Sequence, residues 1–189
     1  MRLFSIIFLC LFFGCSASKL SISEELQQRF EKGISLFESE KFMHAKDEFL
    51  FIVSNNPGTQ MALDAQFLLA ESYFNLNEYE NALQEYDYFA RFSQDYNKVE
   101  QARFRICECA ILSSNSFEKD QENSKLALDR LQEFIEDYPN SQYSKKANIE
   151  IAQVRSKLAR KSLESARLYL KLEEFDSALI YLNNILSEY

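Results

Sequence analysis

The chain has little with which to turn: 3 Gly and 2 Pro among 189 residues. Usage that low favours long helices joined by few, short connections. Tryptophan is absent and histidine occurs once, as His44. A catalytic histidine needs an orienting acid and a nucleophile at hand, and no spacing here proposes them. Gly14, Gly33 and Gly58 stand singly, so no glycine-rich phosphate loop can form. No apolar run approaches the roughly 20 residues of a membrane-spanning helix. The net charge of −8, with no block of Lys and Arg, argues against nucleic acid as a partner. These absences point to a binding protein without cofactor or metal rather than to an enzyme. What the chain does have is 47% hydrophobic residues, including 17 Phe and 10 Tyr, which excludes a disordered tail.

The first residues read as an address. Met1-Arg2 is followed by an apolar run, Leu3 to Phe13, too short to span a bilayer and suited to a secretory signal over residues 1–14. The run ends Phe12-Phe13-Gly14-Cys15, which resembles a bacterial lipobox, with Cys15 acylated as the first mature residue. Plain secretion is the alternative. Residues 15–23 then form a lipidated polar tether, and acyl chains hold a protein to a bilayer at about 0.8 kcal/mol per buried methylene. Cys107 and Cys109 remain in an exported compartment. Two positions apart on a helix they cannot bond to each other, and the chain has too little histidine for a metal site, so both read as small buried apolar residues.

One phrase recurs from end to end: Phe42-x2-Ala45-x3-Phe49, Tyr79-x2-Ala82-x3-Tyr86 and Phe175-x2-Ala178-x3-Leu182, with a weaker copy at Ala127-x3-Leu131. A small residue four positions before a large one shares its helical face, and the alanine lets a neighbouring helix approach. Repetition of that unit marks an array of tetratricopeptide-like helical hairpins. Gly33, Ala70 and Ala166 each precede their repeat's alanine by twelve residues, and Pro57 and Pro139 follow Ala45 and Ala127 by twelve. Asn55-Asn56-Pro57-Gly58 is a strong break, Asn75 to Glu78 supplies a turn, and Ser113 to Asp120 makes a longer polar loop. Ala102, Ile106 and Ala110 form the inner face of the third repeat. Asn140-Ser141 is the capping candidate for a stretch free of Gly and Pro, a single helix of roughly 28 residues and about 42 Å. The expected fold is therefore all-α, a right-handed solenoid of about four repeats. Residues 24–96 hold repeats 1–2 and residues 97–189 repeats 3–4. The spacing places a further proline at position 190, so the chain is expected to be truncated, leaving Leu179, Leu182 and Leu186 without cover.

The acylation signal, Tyr138-Pro139-Asn140-Ser141-Gln142-Tyr143, and Leu158-Ala159 leading into Ala166-x2-Tyr169 and the Ala178 helix together resemble the BamD/YfiO family of outer-membrane protein assembly lipoproteins. The resemblance spans nearly the whole chain. It implies five such repeats, a lipid anchor on the periplasmic face of the outer membrane, and N-terminal repeats that receive unfolded outer-membrane proteins. It also implies a C-terminal half docked to a BamA-like barrel subunit and to other assembly lipoproteins. Ser16 after the acylated cysteine is compatible with outer-membrane sorting. The competing reading is a periplasmic adaptor of the Tol-Pal cell-envelope machinery.

Counting Gly33 and Ala70 as the eighth position of their repeats sets two groups on the concave side. They are Phe30, Ile34 and Phe37 in repeat one, and Asp64, Phe67, Glu71 and Phe74 in repeat two. A Phe-rich groove edged by two acids suits an extended segment with an aromatic side chain, each buried ring contributing about 1.5–3 kcal/mol. The alternative is that these rings are hairpin core. Lys157, Arg160, Lys161 and Arg167 on the long helix form a candidate docking surface for an acidic partner, or else a solvated basic face.

Overall fold

The computed structural model describes residues 22–115 and 121–188. They form eight helices: α1 (Ile22–Glu38), α2 (Phe42–Asn55), α3 (Gln60–Asn75), α4 (Tyr79–Phe92), α5 (Tyr96–Asn115), α6 (Gln121–Asp137), α7 (Ser144–Lys171) and α8 (Phe175–Glu188). No strand occurs among the described residues. Helices pack on their neighbours in chain order, α1 on α2 through to α7 on α8. The result is an array of tetratricopeptide-like hairpins, and α7 is the single 28-residue helix the periodicity requires.

The repeated phrase is the packing code. Ala45, Ala82 and Ala127 are fully buried and Ala178 is 1% exposed. Their bulky followers Phe49, Tyr86 and Leu131 are equally inaccessible, whereas Leu182 is half-buried. Burial is shared across hairpins. α3 gives Ala65 and Leu69 to a first core with Phe49 and Ile52, and Phe67 and Ala70 to a second with Tyr86 and Phe89. Likewise α5 sends Ala102, Ile106 and Cys109 into the second core, and Phe104 and Cys107 into a third with Leu131, Phe134 and Ala147. The expected inner face of α5 is therefore only one of two. The two cysteines lie on opposite sides because both sides are core.

The hairpin turns are made without glycine. Glu40, Asn77 and Glu173 adopt φ of 58°, 61° and 60°. In each case the residue's own N–H and the next one close back on the helix: Glu40 N to Phe37 O and Lys41 N to Leu36 O, Asn77 N to Phe74 O and Glu78 N to Tyr73 O, Glu173 N to Leu170 O and Glu174 N to Tyr169 O. That is the Schellman closure of a helix end. α3 begins with the Thr59 hydroxyl accepting from Ala62 N at 3.2 Å. Ser141 does not cap α7 directly. The helix starts three residues later, and Ser141 Oγ instead accepts from Tyr143 N and donates to Glu100 of α5.

Candidate functional site

On the N-terminal hairpin, Phe30, Ile34 and Phe37 are half-buried against the first core. Phe30 meets Phe49 edge-on at 6.2 Å, and Phe37 meets Phe42 across the turn at 5.2 Å. On α3, Phe67 is 9% exposed, set between Tyr86 at 5.8 Å and Phe89 at 5.1 Å. Phe74 is half-buried against Tyr79 at 5.6 Å. The two acids are engaged from the next repeat. Asp64 pairs with Lys98 at 3.1 Å, and Glu71, 8% exposed, takes a two-pronged bond from Arg105 at 3.0 and 3.1 Å.

Arg105 joins what the residue count left separate. Its guanidinium lies 4.5 Å from the centre of the Phe74 ring and also bonds Glu108, which Lys146 of α7 holds from the other side. Burial works against the Arg105 charge, but Glu71, Tyr86 and Glu108 hold its pKa above the ordinary value. Glu71, Arg105, Glu108 and Lys146 thus form a polar ladder from α3 across α5 to α7. The ladder had a signal in the sequence: Asp64 to Lys98 and Glu71 to Arg105 are both acid-to-base steps of 34 residues. That is one repeat unit of this class.

The second candidate group lies on α7. Lys157, Arg160 and Arg167 are exposed and Lys161 is half-buried. The helix carries eight Lys and Arg against two Glu, within a chain of net charge −8, so it is the basic element of an acidic molecule. Clefts border it, one of about 460 Å³ past Asn148, Ile151 and Arg155. One of about 310 Å³ lies between α5 and α7. One of about 560 Å³ runs past Ile149, Ala152 and Arg160. One of about 580 Å³ lies against α8 at Leu163, Leu182 and Ile185. The α1–α3 group and the α7 group are distinct surfaces, linked through the ladder.

Among the described residues no three His, Cys, Asp or Glu side chains are grouped to hold a metal, and His44 is exposed. Cys107 and Cys109 are free and buried. Burial pushes both thiols up to about 12, away from the thiolate that reactivity needs. No described helix is long and apolar enough to cross a membrane. The signal residues 1–14 and the acylation candidate Cys15 lie outside the described residues.

A family model, YfiO, with the description outer membrane lipoprotein, matches residues 23–189. A similar curated protein is the outer membrane protein assembly factor BamD of Rickettsia prowazekii (strain Madrid E). It is 25% identical over 178 residues, which cover 93% of this chain and 71% of the relative.

Proposed function

The chain belongs to the YfiO family of outer-membrane lipoproteins, and from that premise we propose that it is a lipid-anchored scaffold and substrate receptor in the assembly of outer-membrane β-barrel proteins. The family match over residues 23–189 carries the reading. The relative's name, an outer membrane protein assembly factor, supplies the process. The fold supports it in kind, since stacked hairpins expose long faces for binding and the described residues hold no grouping suited to metal chemistry. In this reading Cys15 bears the lipid on the periplasmic side, with no other cofactor. The concave side of the array receives unfolded outer-membrane proteins. Lys157, Arg160, Lys161 and Arg167 dock an acidic surface of the barrel subunit or of another assembly lipoprotein.

The test is a pull-down of the tagged full chain from detergent-solubilised membranes. Recovery of a large β-barrel protein with periplasmic repeat domains is expected. Peptidoglycan-linked partners without that barrel would sink the proposal. Acylation is checked separately, by incorporation of labelled palmitate that disappears in Cys15→Ser.

A further inference from the structure

We propose that the edge of the array formed by the connections between hairpins lies on the bilayer that carries the lipid, with Tyr88, Phe92 and Tyr96 in the headgroup layer. This rests on the lipid-anchored reading and adds an orientation to it. Successive helices pack on one another through short connections, so they run antiparallel and their connections fall on two opposite edges. One edge holds the start of α1 at Ile22 and the α2–α3, α4–α5 and α6–α7 connections. The other holds the α1–α2, α3–α4 and α7–α8 turns. Cys15 stands seven residues before Ile22, and seven extended residues span at most about 25 Å. The tether therefore leaves from the first edge and keeps that edge close to the membrane.

The two edges differ in chemistry. Asn56 to Thr59, Ser93 to Asp95 and Tyr138 to Tyr143 contain a single charged residue, Asp95, whose carboxylate accepts from Asn97 N and Lys98 N at the start of α5. Beside them Arg91, Lys98 and Lys146 are each paired with an acid, and Glu136, Asp137 and Lys145 carry both signs. Large rings project here: Tyr96 is 84% and Phe92 58% exposed, with Tyr88 tilted against Phe92 at 4.6 Å. A tyrosine, apolar in body and polar at its tip, favours the membrane–water interface, and Asn, Ser and Gln side chains suit headgroup oxygens. On the opposite edge stand Glu40, Glu78, Glu80, Glu173, Glu174 and Asp176, against Lys41 and Lys171. Leu172 and Phe175 are exposed there too, but they flank Glu173 and Glu174, carboxylates that an apolar layer would reject. α2 and α4, of 14 residues each, are about 21 Å long. The acids at their starts are thus lifted more than two Debye lengths, each about 8 Å in physiological salt, from a surface under the first edge.

The chain has no tryptophan, so one introduced indole reports alone. Tyr96→Trp and Glu80→Trp, at exposed positions on the two edges, are made in the full chain. Each is extracted in detergent and reconstituted into phosphatidylcholine vesicles with or without acyl chains brominated near the headgroup. Tyr96→Trp is expected to emit at shorter wavelength than Glu80→Trp, and brominated lipid should quench only the former. Adding Tyr88→Ser and Phe92→Ser to the Tyr96→Trp chain should remove most of that quenching and leave the melting temperature unchanged. Undiminished quenching without those two rings overturns the contact. Equal quenching at the two edges, or none in a Tyr96→Trp chain that floats with the vesicles, overturns the orientation and leaves the anchor standing. A Tyr96→Trp shift in native membranes but not in lipid vesicles assigns the rings to a protein partner and also overturns it. Failure of the parent chain to float with vesicles overturns both.

Discussion

At Gly33 two helices come together so closely that a methyl group has no room. A Cβ there would lie 2.7 Å from Phe49 Cε1 and 3.0 Å from Cζ, and the Phe49 ring is fully buried. Replacing an interior helical glycine by alanine ordinarily gains about 1 kcal/mol, but overpacking a core costs about 1–3 kcal/mol. The clash should win. Gly33→Ala is expected to lower the melting temperature, and adding Phe49→Leu, which shortens the opposing side chain, should recover part of the loss; a higher melting temperature in the single variant would refute the close approach. Glu85 gives a second residue-scale test. Its carboxyl is bonded by the Gln66 amide of α3, and burial pushes its pKa above the ordinary 4.5 despite that bond. The folded chain therefore binds the proton more readily than the unfolded chain. This group's contribution to stability falls as pH rises from about 4.5 through the folded pKa. Glu48 runs the other way: burial pulls it up, but bonds from Lys32 and Arg29 hold it below 4.5, so its contribution is lost as pH falls through its folded pKa. Glu85→Gln should raise the melting temperature at pH 7 and narrow its advantage at pH 4.5, as read by melts across that range.

Helix existence and packing face were legible because they rest on periodicity. Ala45, Ala82, Ala127 and Ala178 are buried as their spacing requires, and the gap-free stretch before Leu172 is one helix. The turns were legible in place but not in chemistry. Scarcity of glycine led to the expectation of few turns, and three hairpins close instead on Glu40, Asn77 and Glu173 with positive φ. No local pattern announces a glutamate in that conformation, because the backbone is imposed by the helices it joins. The two-sided burial of α5 was equally hidden, since a helix shared by two cores has no single apolar face. The count of concave positions singled out Glu71 and Phe74 but gave no sign of Arg105, which bonds Glu71 from one repeat away. The left-handed turns carry their own consequence. A non-glycine residue there costs about 1–2 kcal/mol, partly offset by the entropy that glycine adds to the unfolded chain. Glu40→Gly and Glu173→Gly should each stabilise by about 0.5–1 kcal/mol in denaturant titrations, with unchanged helical signal. A loss of stability in both would show that the side chains themselves brace the turns.

Across the whole molecule, stability is passed from hairpin to hairpin, because packing runs between chain neighbours. Such arrays behave as a sum of units and nearest-neighbour interfaces, but the interfaces here are unequal. α5 belongs to the second and third cores together, and its Arg105 and Glu108 link α3 to α7. α8 fully buries only Ala178, leaving Phe175, Leu179 and Ile180 more than half exposed. A charge introduced into α5 should therefore act in both directions along the array, and one introduced into α8 should act locally. In hydrogen exchange on the full chain, Ala178→Asp is expected to release the amides of α8 and the last turns of α7 while α1–α4 keep their protection. Ala102→Asp buries a carboxylate among Phe67, Tyr86 and Phe89 and should lower protection from α3 to α7. If Ala178→Asp exposes every helix equally, the chain unfolds as one cooperative block. The Arg105 ladder would then be one contact among many rather than the joint that couples the N-terminal hairpins to the basic helix α7.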